Sequence, residues 1–591
     1  MNEFYKNSAL RQIHNGSYRP SAHCFDRLLD FVNKCGYKDE PEVNKDGKPL
    51  TRRTTALHHA ARYEHRSWVL SASQNYDIVP MVRKLFNIYN RFDLNYTDEL
   101  GCTHFHVACE YGMNDVVRKF LELGQDPDVL VAKTGNSPLH LALSGDLNFQ
   151  DHKKKVAKLL LEHGADPNVV NKDGRTLLHV LGENYWRSQD TEMVFVLKKR
   201  CKPGQVDVQD KWGNTPLHLA VPSLANPKAR VQALLTIGAN PNLANDEGLT
   251  PMHIISKRHC NDGLWNSFWK VSGQMKQPVK LEARDKLGNT PLHLAALSFD
   301  FMSLESLLRN GADPNSVNEE GQTPLHIIAK NDDRFNICNV ASLFFKTNKE
   351  LGRQVRIDAK DNLGRTPLQL AVANLLPDKI DILLDNGADL SSFRFPTEDY
   401  FAEKLVPYQR ERRLNFKMRI ASRLMAVVEC LENRGYELDQ SDALTVMKVF
   451  ADHELFEKSA NFEKCWYGRD GGKSVMKAKK TKKIMLKKMG LTLYDLIRLR
   501  PEEMTKLITF KEFNLYSPSS VLRKLPNKLL EACVLHLCET ISREFFRAWA
   551  TISFLGLTRY RLPVLCCENI IENLKNEDLH RICLADTLDA I

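Results

Sequence analysis

The sequence predicts an all-α fold: a solenoid of about nine helix-turn-helix repeats with β-hairpin turns, followed by an α-helical C-terminal domain. Three observations predict it. One short phrase recurs nine times, with successive starts 33 to 48 residues apart. A second phrase, a leucine pair running into glycine, follows several of those copies. After Leu390 the first phrase is absent, and apolar residues recur at helical spacing instead.

The recurring phrase reads "TALHHA" from Thr55, "THFHVA" from Thr103, "SPLHLA" from Ser137, "TLLHVL" from Thr176, "TPLHLA" from Thr215, "TPMHII" from Thr250, "TPLHLA" from Thr290, "TPLHII" from Thr323 and "TPLQLA" from Thr366. Each position has a physical reason. Thr or Ser is an N-cap that accepts from an orphan amide of the first turn. Proline next has a suitable φ and lacks only an N–H that the helix would not use. Leu and Ala three residues apart share a face, and Ala permits close approach of a neighbouring helix. The second helix ends in "LLLEHGADPN" (159–168), "LLTIGANPN" (234–242), "LLRNGADPN" (306–315) or "LLDNGADL" (383–390). The glycine supplies a left-handed C-cap, and the residues after it are turn chemistry.

The copies also alternate. Starts 215, 290 and 366 are 75 and 76 residues apart; starts 176, 250 and 323 are 74 and 73 apart. One repeat type ends in the GADPN phrase, and its partner closes with "QVDVQDKWGNT", "KLEARDKLGNT" or "VRIDAKDNLGRT". The unit is therefore a pair of repeats; the longer, more variable member is expected to map to one face, where a partner binds, or else its variation is drift without function. Residues 1–50 read as a degenerate capping repeat, with "CFDRLLDFVNKCG" as an outer helix stopped at Gly36.

Composition excludes several functions. No stretch reaches membrane-spanning length and the first twenty residues lack a signal-peptide core, so a cytoplasmic protein is expected, possibly also nuclear. The fourteen scattered cysteines read as free thiols of a reducing compartment. The formal charge is +10, but a run of eight lysines without an acid, Lys473 to Lys488, supplies most of that excess. A general nucleic-acid surface is thus not indicated. Lys479, Lys480, Lys482 and Lys483 form a candidate nuclear-localisation patch, against the plainer reading of a solvated helix face with Ile484, Met485 and Leu486 turned inward.

No catalytic constellation is expected. His58, His106, His140, His179, His218, His253, His293 and His326 all occupy the repeat phrase, where ring and threonine hydroxyl can pair. One imidazole per repeat cannot converge on a metal ion. "GRDGGK" at 468–473 lacks the spacing and the Ser/Thr of a phosphate loop. No nucleophile, base and orienting group come together in the pattern, so neither an enzyme nor a cofactor is expected.

Beyond the repeats the chain reads as helices. "FKMRIASRLMAVVECLENRG" carries Ile420, Leu424, Val427 or Val428 and Leu431 on one face, with Gly435 past its end, "SDALTVMKVFADHELF" opens with Ser441 as cap, and "LTLYDLIRLRP", "LPNKLLEACVLHLCE" and "REFFRAWATISFLGL" follow. In "LPVLCCENIIENLKNEDLHRIC", Pro563 suits a first turn, and Val564, Cys567, Ile571 and Leu574 mark one apolar face. Asn576 is placed to cap a further helix.

The repeat phrase with its GADPN ending resembles the ankyrin repeat. That resemblance implies a protein-binding scaffold without an active site of its own. Ankyrin repeats at 51–390 before a helical tail at 391–591 that ends in "LP…II…L…NEDL" are similar to the PRANC family of poxviruses and parasitoid insects, whose end is F-box-like. By that resemblance, Leu562 and Pro563 match the F-box opening, Ile570, Ile571 and Leu574 its apolar helix, and Asp578 with Leu579 the step to the next helix. Residues 562–591 are shorter than a complete F-box, and Cys566-Cys567 is an unusual filling. The implied partners are a Skp-type adaptor and cullin at the C-terminus, and a target protein on the repeats. The implied role is a substrate receptor for a cullin–RING ubiquitin ligase. The alternative is a passive scaffold that sequesters a signalling protein or transcription factor.

Overall fold

The computed structural model describes residues 29–67, 79–144, 150–183, 192–200, 202, 204–222, 227–258, 263–274, 278–332, 339–404, 413–456, 485–486, 491–492, 499–507, 509–510 and 527–589. The chain divides into two compact units, Met1–Leu294 and Ala295–Ile591.

In the first unit the helices come in pairs: α1 (Ala56–Ser67) with α2 (Val79–Ile88), α3 (His104–Glu110) with α4 (Asn114–Glu122), α5 (Pro138–Leu143) with α6 (Gln150–Glu162), α7 (Leu177–Glu183) with α8 (Glu192–Arg200), α9 (Pro216–Ala220) with α10 (Pro227–Thr236), and α11 (Pro251–Ser256) with α12 (Leu264–Gln274). The boundary between units falls inside α13 (Pro291–Leu297). The second unit continues with α14 (Phe301–Arg309), then α15 (Pro324–Lys330) with α16 (Val340–Glu350), and α17 (Pro367–Ala373) with α18 (Pro377–Asp385). Helix follows helix as the phrase dictates. Pro138, Pro216, Pro251, Pro324 and Pro367 stand at the first helical turn after a Ser or Thr cap in extended conformation.

Leucines and alanines of the phrase are the core. Leu139, Leu217, Leu292, Ala142, Ala220 and Ala295 are fully buried. The second helix of a pair ends as expected: Gly164, Gly238, Gly311 and Gly387 have φ of 91°, 104°, 113° and 96°. The amide of the following alanine, Ala165, Ala239, Ala312 or Ala388, closes back on a leucine carbonyl at 3.0 Å.

The projecting turns are closed largely by side chains. Asn171 Oδ1 accepts from the amides of Asp173 (3.0 Å) and Arg175 (2.9 Å), while Asn171 N–H donates to Arg175 O. Asp210, Asn245, Asp285, Asn318 and Asp361 repeat the arrangement on the residues two and four ahead. Successive tips then bond through backbone. Lys172 N–H donates to Thr134 O, Lys211 N–H to Asp173 O, Asp246 N–H to Trp212 O and Lys286 N–H to Glu247 O, all within 3.1 Å. Glycine is required there. Gly213 and Gly248 both have φ of 74°, and a Cβ would lie 2.6 Å from Asp246 N and 2.9 Å from Asp285 Cα respectively.

The tail of the second unit is helical: α19 (Glu398–Lys404), α20 (Arg413–Asn433), α21 (Gln440–Asp452), α22 (Pro501–Leu507), α23 (Asn527–Leu557), α24 (Val564–Glu572) and α25 (Asn576–Asp589). A two-residue ribbon pairs β1 (Met485–Leu486) antiparallel with β2 (Leu491–Thr492). α20 packs against both α18 and α23, and its Ile420, Leu424, Val427 and Leu431 are buried as the spacing predicts. It also buries charge. Arg423 Nη1 reaches Asp332 Oδ2 at 2.8 Å, and Lys417 Nζ donates to Glu454 O at 2.7 Å.

Three local expectations are corrected. The cap of α21 is Asp439, whose carboxylate accepts from Asp442 N (2.8 Å), and Ser441 lies inside the helix. "LPNKLLEACVLHLCE" and "REFFRAWATISFLGL" are not two segments, because Asn527–Leu557 is one 31-residue helix. "LTLYDLIRLRP" begins with the strand Leu491–Thr492 rather than a helix.

Gly248→Ala is expected to destabilise the first unit by about 1–3 kcal/mol from left-handed strain alone, with the clash at Asp285 added. Urea unfolding of the two chains checks it, and a midpoint unchanged from wild type would refute it.

Candidate functional site

The sequence points to two regions: the row of turns carried by the repeats, and the terminal helices. The first depends on how the repeats are joined. Thr103 N–H donates to His106 Nδ1 at 3.0 Å, and the threonine Oγ1 lies 2.8 Å from the same nitrogen. An amide can only donate, so Nδ1 accepts and the proton sits on Nε2. That N–H donates to Val129 O, a carbonyl of the next repeat, at 2.8 Å. His140, His179, His218 and His253 do the same to Arg175 O, Asn214 O, Leu249 O and Asn289 O at 2.8–3.1 Å. In the second unit His326 reaches Arg365 O at 3.1 Å. Gln369 substitutes for the imidazole in the last copy, accepting from Thr366 N (2.9 Å) and donating to Arg394 O (3.0 Å). These six histidines are joints between repeats.

A second set of joints follows the alternation. Asn168 and Asn242, which end the GADPN-type phrases, accept from Lys202 N and Lys280 N of the next repeat at 2.8 and 2.7 Å. Asp207, from the other repeat type, accepts from Asn240 N at 2.8 Å. The second unit repeats both, with Asn315 accepting from Arg356 N and Asp358 from Asp389 N. The frame is thus held by buried histidine joints and by a second, more exposed set of Asn and Asp joints.

Burial holds the imidazoles neutral. It pushes His106, His140 and His218 down to about 4, and lowers His179, His253 and His326 as well. Among the described residues no group of three or more His, Cys, Asp or Glu side chains could hold a metal ion. No described helix is long and apolar enough to cross a membrane.

The second surface is the pair α24 and α25 on α23. Pro563 is the residue before α24, at φ −60° and ψ 145°, with its carbonyl accepting from Cys566 N and Cys567 N. Cys567, Ile571, Leu579 and Cys583 are buried. Leu562, Val564, Leu565 and Ile570 are exposed, at 37%, 51%, 72% and 44% of their area. Val564 therefore does not join the inward face that its spacing predicted, because α24 covers α23 only with Cys567 and Ile571. Of the seven F-box-like positions, Ile571 and Leu579 face inward, Leu574 and Asp578 are half-buried, and Leu562, Pro563 and Ile570 face solvent. Lys479, Lys480, Lys482 and Lys483 lie outside the described residues.

Asn576 corrects another expectation. It does not cap α25; it pins the helix to α23. Its N–H donates to Glu539 Oε1 (2.6 Å), its Nδ2 to Glu539 O (3.1 Å) and Ser542 Oγ (3.0 Å), and its Oδ1 accepts from Arg543 Nη1 (3.0 Å). Arg543 Nη2 also donates to Glu572 O at the end of α24. The signal in the sequence was thin, since Glu539, Ser542 and Arg543 share a helix face but nothing local links them to Asn576.

Comparison with known proteins agrees with the repeat geometry. Residues 69–171 and 292–394 match the model for ankyrin repeats in three copies, and residues 212–246 match the single ankyrin repeat. The chain is 36% identical over 182 residues to human transient receptor potential cation channel subfamily A member 1, covering 31% of this chain and 15% of that protein. It is 34% identical over 171 residues to mouse NF-kappa-B inhibitor delta, covering 28% and 48%. Against the fowlpox virus (strain NVSL) ankyrin repeat protein FPV232 it is 28% identical over 263 residues, covering 40% and 52%. The chain thus spans from 15% to about half the length of these relatives. It carries ankyrin repeats.

A histidine whose folded pKa is depressed stabilises above its unfolded value near 6.5, and that stability is lost as pH falls from there toward 4. His106, His140 and His218 should each withdraw on the order of 2 kcal/mol by pH 5. Thermal melts should therefore shift steeply downward between pH 7 and pH 5. His218→Gln, built on the Gln369 precedent, should melt close to wild type at pH 7 and show a shallower acid loss.

Proposed function

We propose that this ankyrin-repeat protein is a substrate receptor: the repeats hold a target protein, and the terminal helices hold a Skp-type adaptor that brings a cullin–RING ubiquitin ligase. The repeat scaffold for protein partners is the supported part. The observation that carries the ligase assignment is the exposure of Leu562, Val564, Leu565 and Ile570 at and around α24, a helix held to α23 by Cys567 and Ile571. A short apolar helix presented in this way suits docking into a partner's groove, with Leu562, Pro563, Ile570, Ile571, Leu574, Asp578 and Leu579 as the F-box-like positions. The mechanism is effective concentration: holding target and ligase on one chain makes their encounter intramolecular, and no residue here needs to react.

The reading places the protein in the reducing cytoplasm, which suits buried thiols such as Cys109, Cys538 and Cys567. The four-lysine patch would give it access to the nucleus. A second reading is favoured by the similarity to NF-kappa-B inhibitor delta: a passive scaffold that masks a signalling protein or transcription factor, with α24 and α25 serving only to cover α23.

Immunoprecipitation separates the two. Full-length chain should recover Skp-type adaptor and cullin, and a chain ending at Thr558 should not. Leu565→Asp, an exposed position whose change leaves the buried contacts in place, should lower recovery at least tenfold with an unaltered melting curve. Equal recovery in all three would remove the ligase reading. A target whose abundance does not respond to proteasome inhibition would leave the masking scaffold.

A further inference from the structure

The two-repeat alternation reaches the tips of the turns. From residue 173 onward, the residue before the tip glycine is acidic in one repeat type and apolar in the other: Asp173, Trp212, Glu247, Leu287, Glu320, Leu363. In the first unit Trp212 and Leu287 keep 44% and 67% of their area exposed; Leu363, at the same place in a repeat of the second unit, keeps 74%. What sets the three apart from apolar residues scattered singly over a surface is that they recur at one position of one repeat type.

The surroundings of Trp212 and Leu287 narrow what that can be. Lys211 Nζ lies 2.6 Å from Asp173 Oδ1, and Lys286 Nζ lies 3.4 Å from Glu247 Oε1. Each apolar tip therefore carries a lysine that neutralises the acid of the tip before it. The row offers apolar residues on a locally balanced background, and charge complementarity calls for a partner stripe that is itself uncharged. Trp212 is also preset: Arg175 and Lys211 lie over its ring at 5.2 and 4.4 Å. A tryptophan held in one place is a favourable anchor.

The backbone decides the shape of the partner. The amides of Lys211, Asp246 and Lys286 and the carbonyls of Asp173, Trp212 and Glu247 already bond tip to tip, and the amides of Trp212 and Leu287 are taken by Asp210 and Asp285. These tip groups, among the described residues, are thus not open to an extended peptide adding as a strand. Recognition must come through side chains. Two steps of packed helices separate Trp212 from Leu287, roughly 16–20 Å at ordinary helix spacing. On a helix, residues i and i+11 lie on one face and roughly 16 Å apart.

We propose that Trp212 and Leu287 are paired anchors for a helix of the partner protein, laid across the tips with an uncharged apolar stripe three turns long. This deepens the reading of the repeats as a protein-binding scaffold and rests on it; it is independent of the adaptor at α24.

The probe is a stapled, fluorescent, alanine-rich helix of about 18 residues with leucines at i, i+4, i+7 and i+11, titrated by anisotropy against full-length chain. Wild type is expected to bind it, Trp212→Ala/Leu287→Ala to bind at least tenfold more weakly, and Leu123→Ala, an exposed leucine away from the tips, to bind as wild type. Melting curves establish that all three are folded. The proposal is overturned if the double variant matches wild type, or if an isomer with leucines spread around the helix binds equally well. It is also overturned if a proline-containing extended isomer binds more tightly, or if wild type shows no binding below about 100 µM. Adaptor recovery in the immunoprecipitation reads α24 alone, so failure of either experiment leaves the other's result standing.

Discussion

The hydrogen bond from a neutral histidine to the carbonyl of the next repeat is the constraint from which the rest of the repeat structure follows. The imidazole caps its own helix through Nδ1, and that acceptor role puts the proton on Nε2, where it joins one repeat to its neighbour. Cap, tautomer and joint are a single arrangement. It works only with an uncharged ring or with an amide that copies it, as Gln369 does by accepting from Thr366 N and donating to Arg394 O. A charged ring would set its Nδ1–H against a backbone N–H, donor against donor, in a site where burial already opposes the charge.

Because the histidine joints lie inside, the outward side chains of the tips are under little structural demand. The turn tips satisfy their backbone groups by bonding to each other and to an Asx side chain, and the outward residues add only exposed contacts such as Asp173 with Lys211 and Glu247 with Lys286. Alternating tips can then differ, acidic in one repeat type and apolar in the next, on an unchanged frame. The same division of labour recurs in the tail. Cys567, Ile571, Leu579 and the Asn576 pin hold α24 and α25 to α23, while Leu562, Leu565 and Ile570 remain outside that contact.

What was legible in the sequence was whatever depends on neighbours a few residues away. The Thr-to-His relation spans three residues, the glycine stop comes three residues after its leucine pair, and the Asx turn reaches only four residues ahead; each is a local contact written as a local phrase. Local reading fails where two local solutions compete. Asp439 and Ser441 are both capable caps, and Asp439 prevails because Asp442 stands three residues beyond it and completes the capping box. The polar stretch around Glu539 to Arg543 reads as a break between helices. It becomes the middle of one helix because those polar groups are consumed by Asn576, over thirty residues away.

The sequence by itself determined the helix–turn–helix unit, its repetition and its pairwise alternation, since all of these are properties of short segments and their period. Only the tertiary structure decided which of the adjacent Ile570 and Ile571 is core and which is surface, that Val564 faces out, and that Asn576 is a pin. Those outcomes depend on which helix lies behind, and neighbours separated by thirty or more residues leave no periodicity in the chain to read.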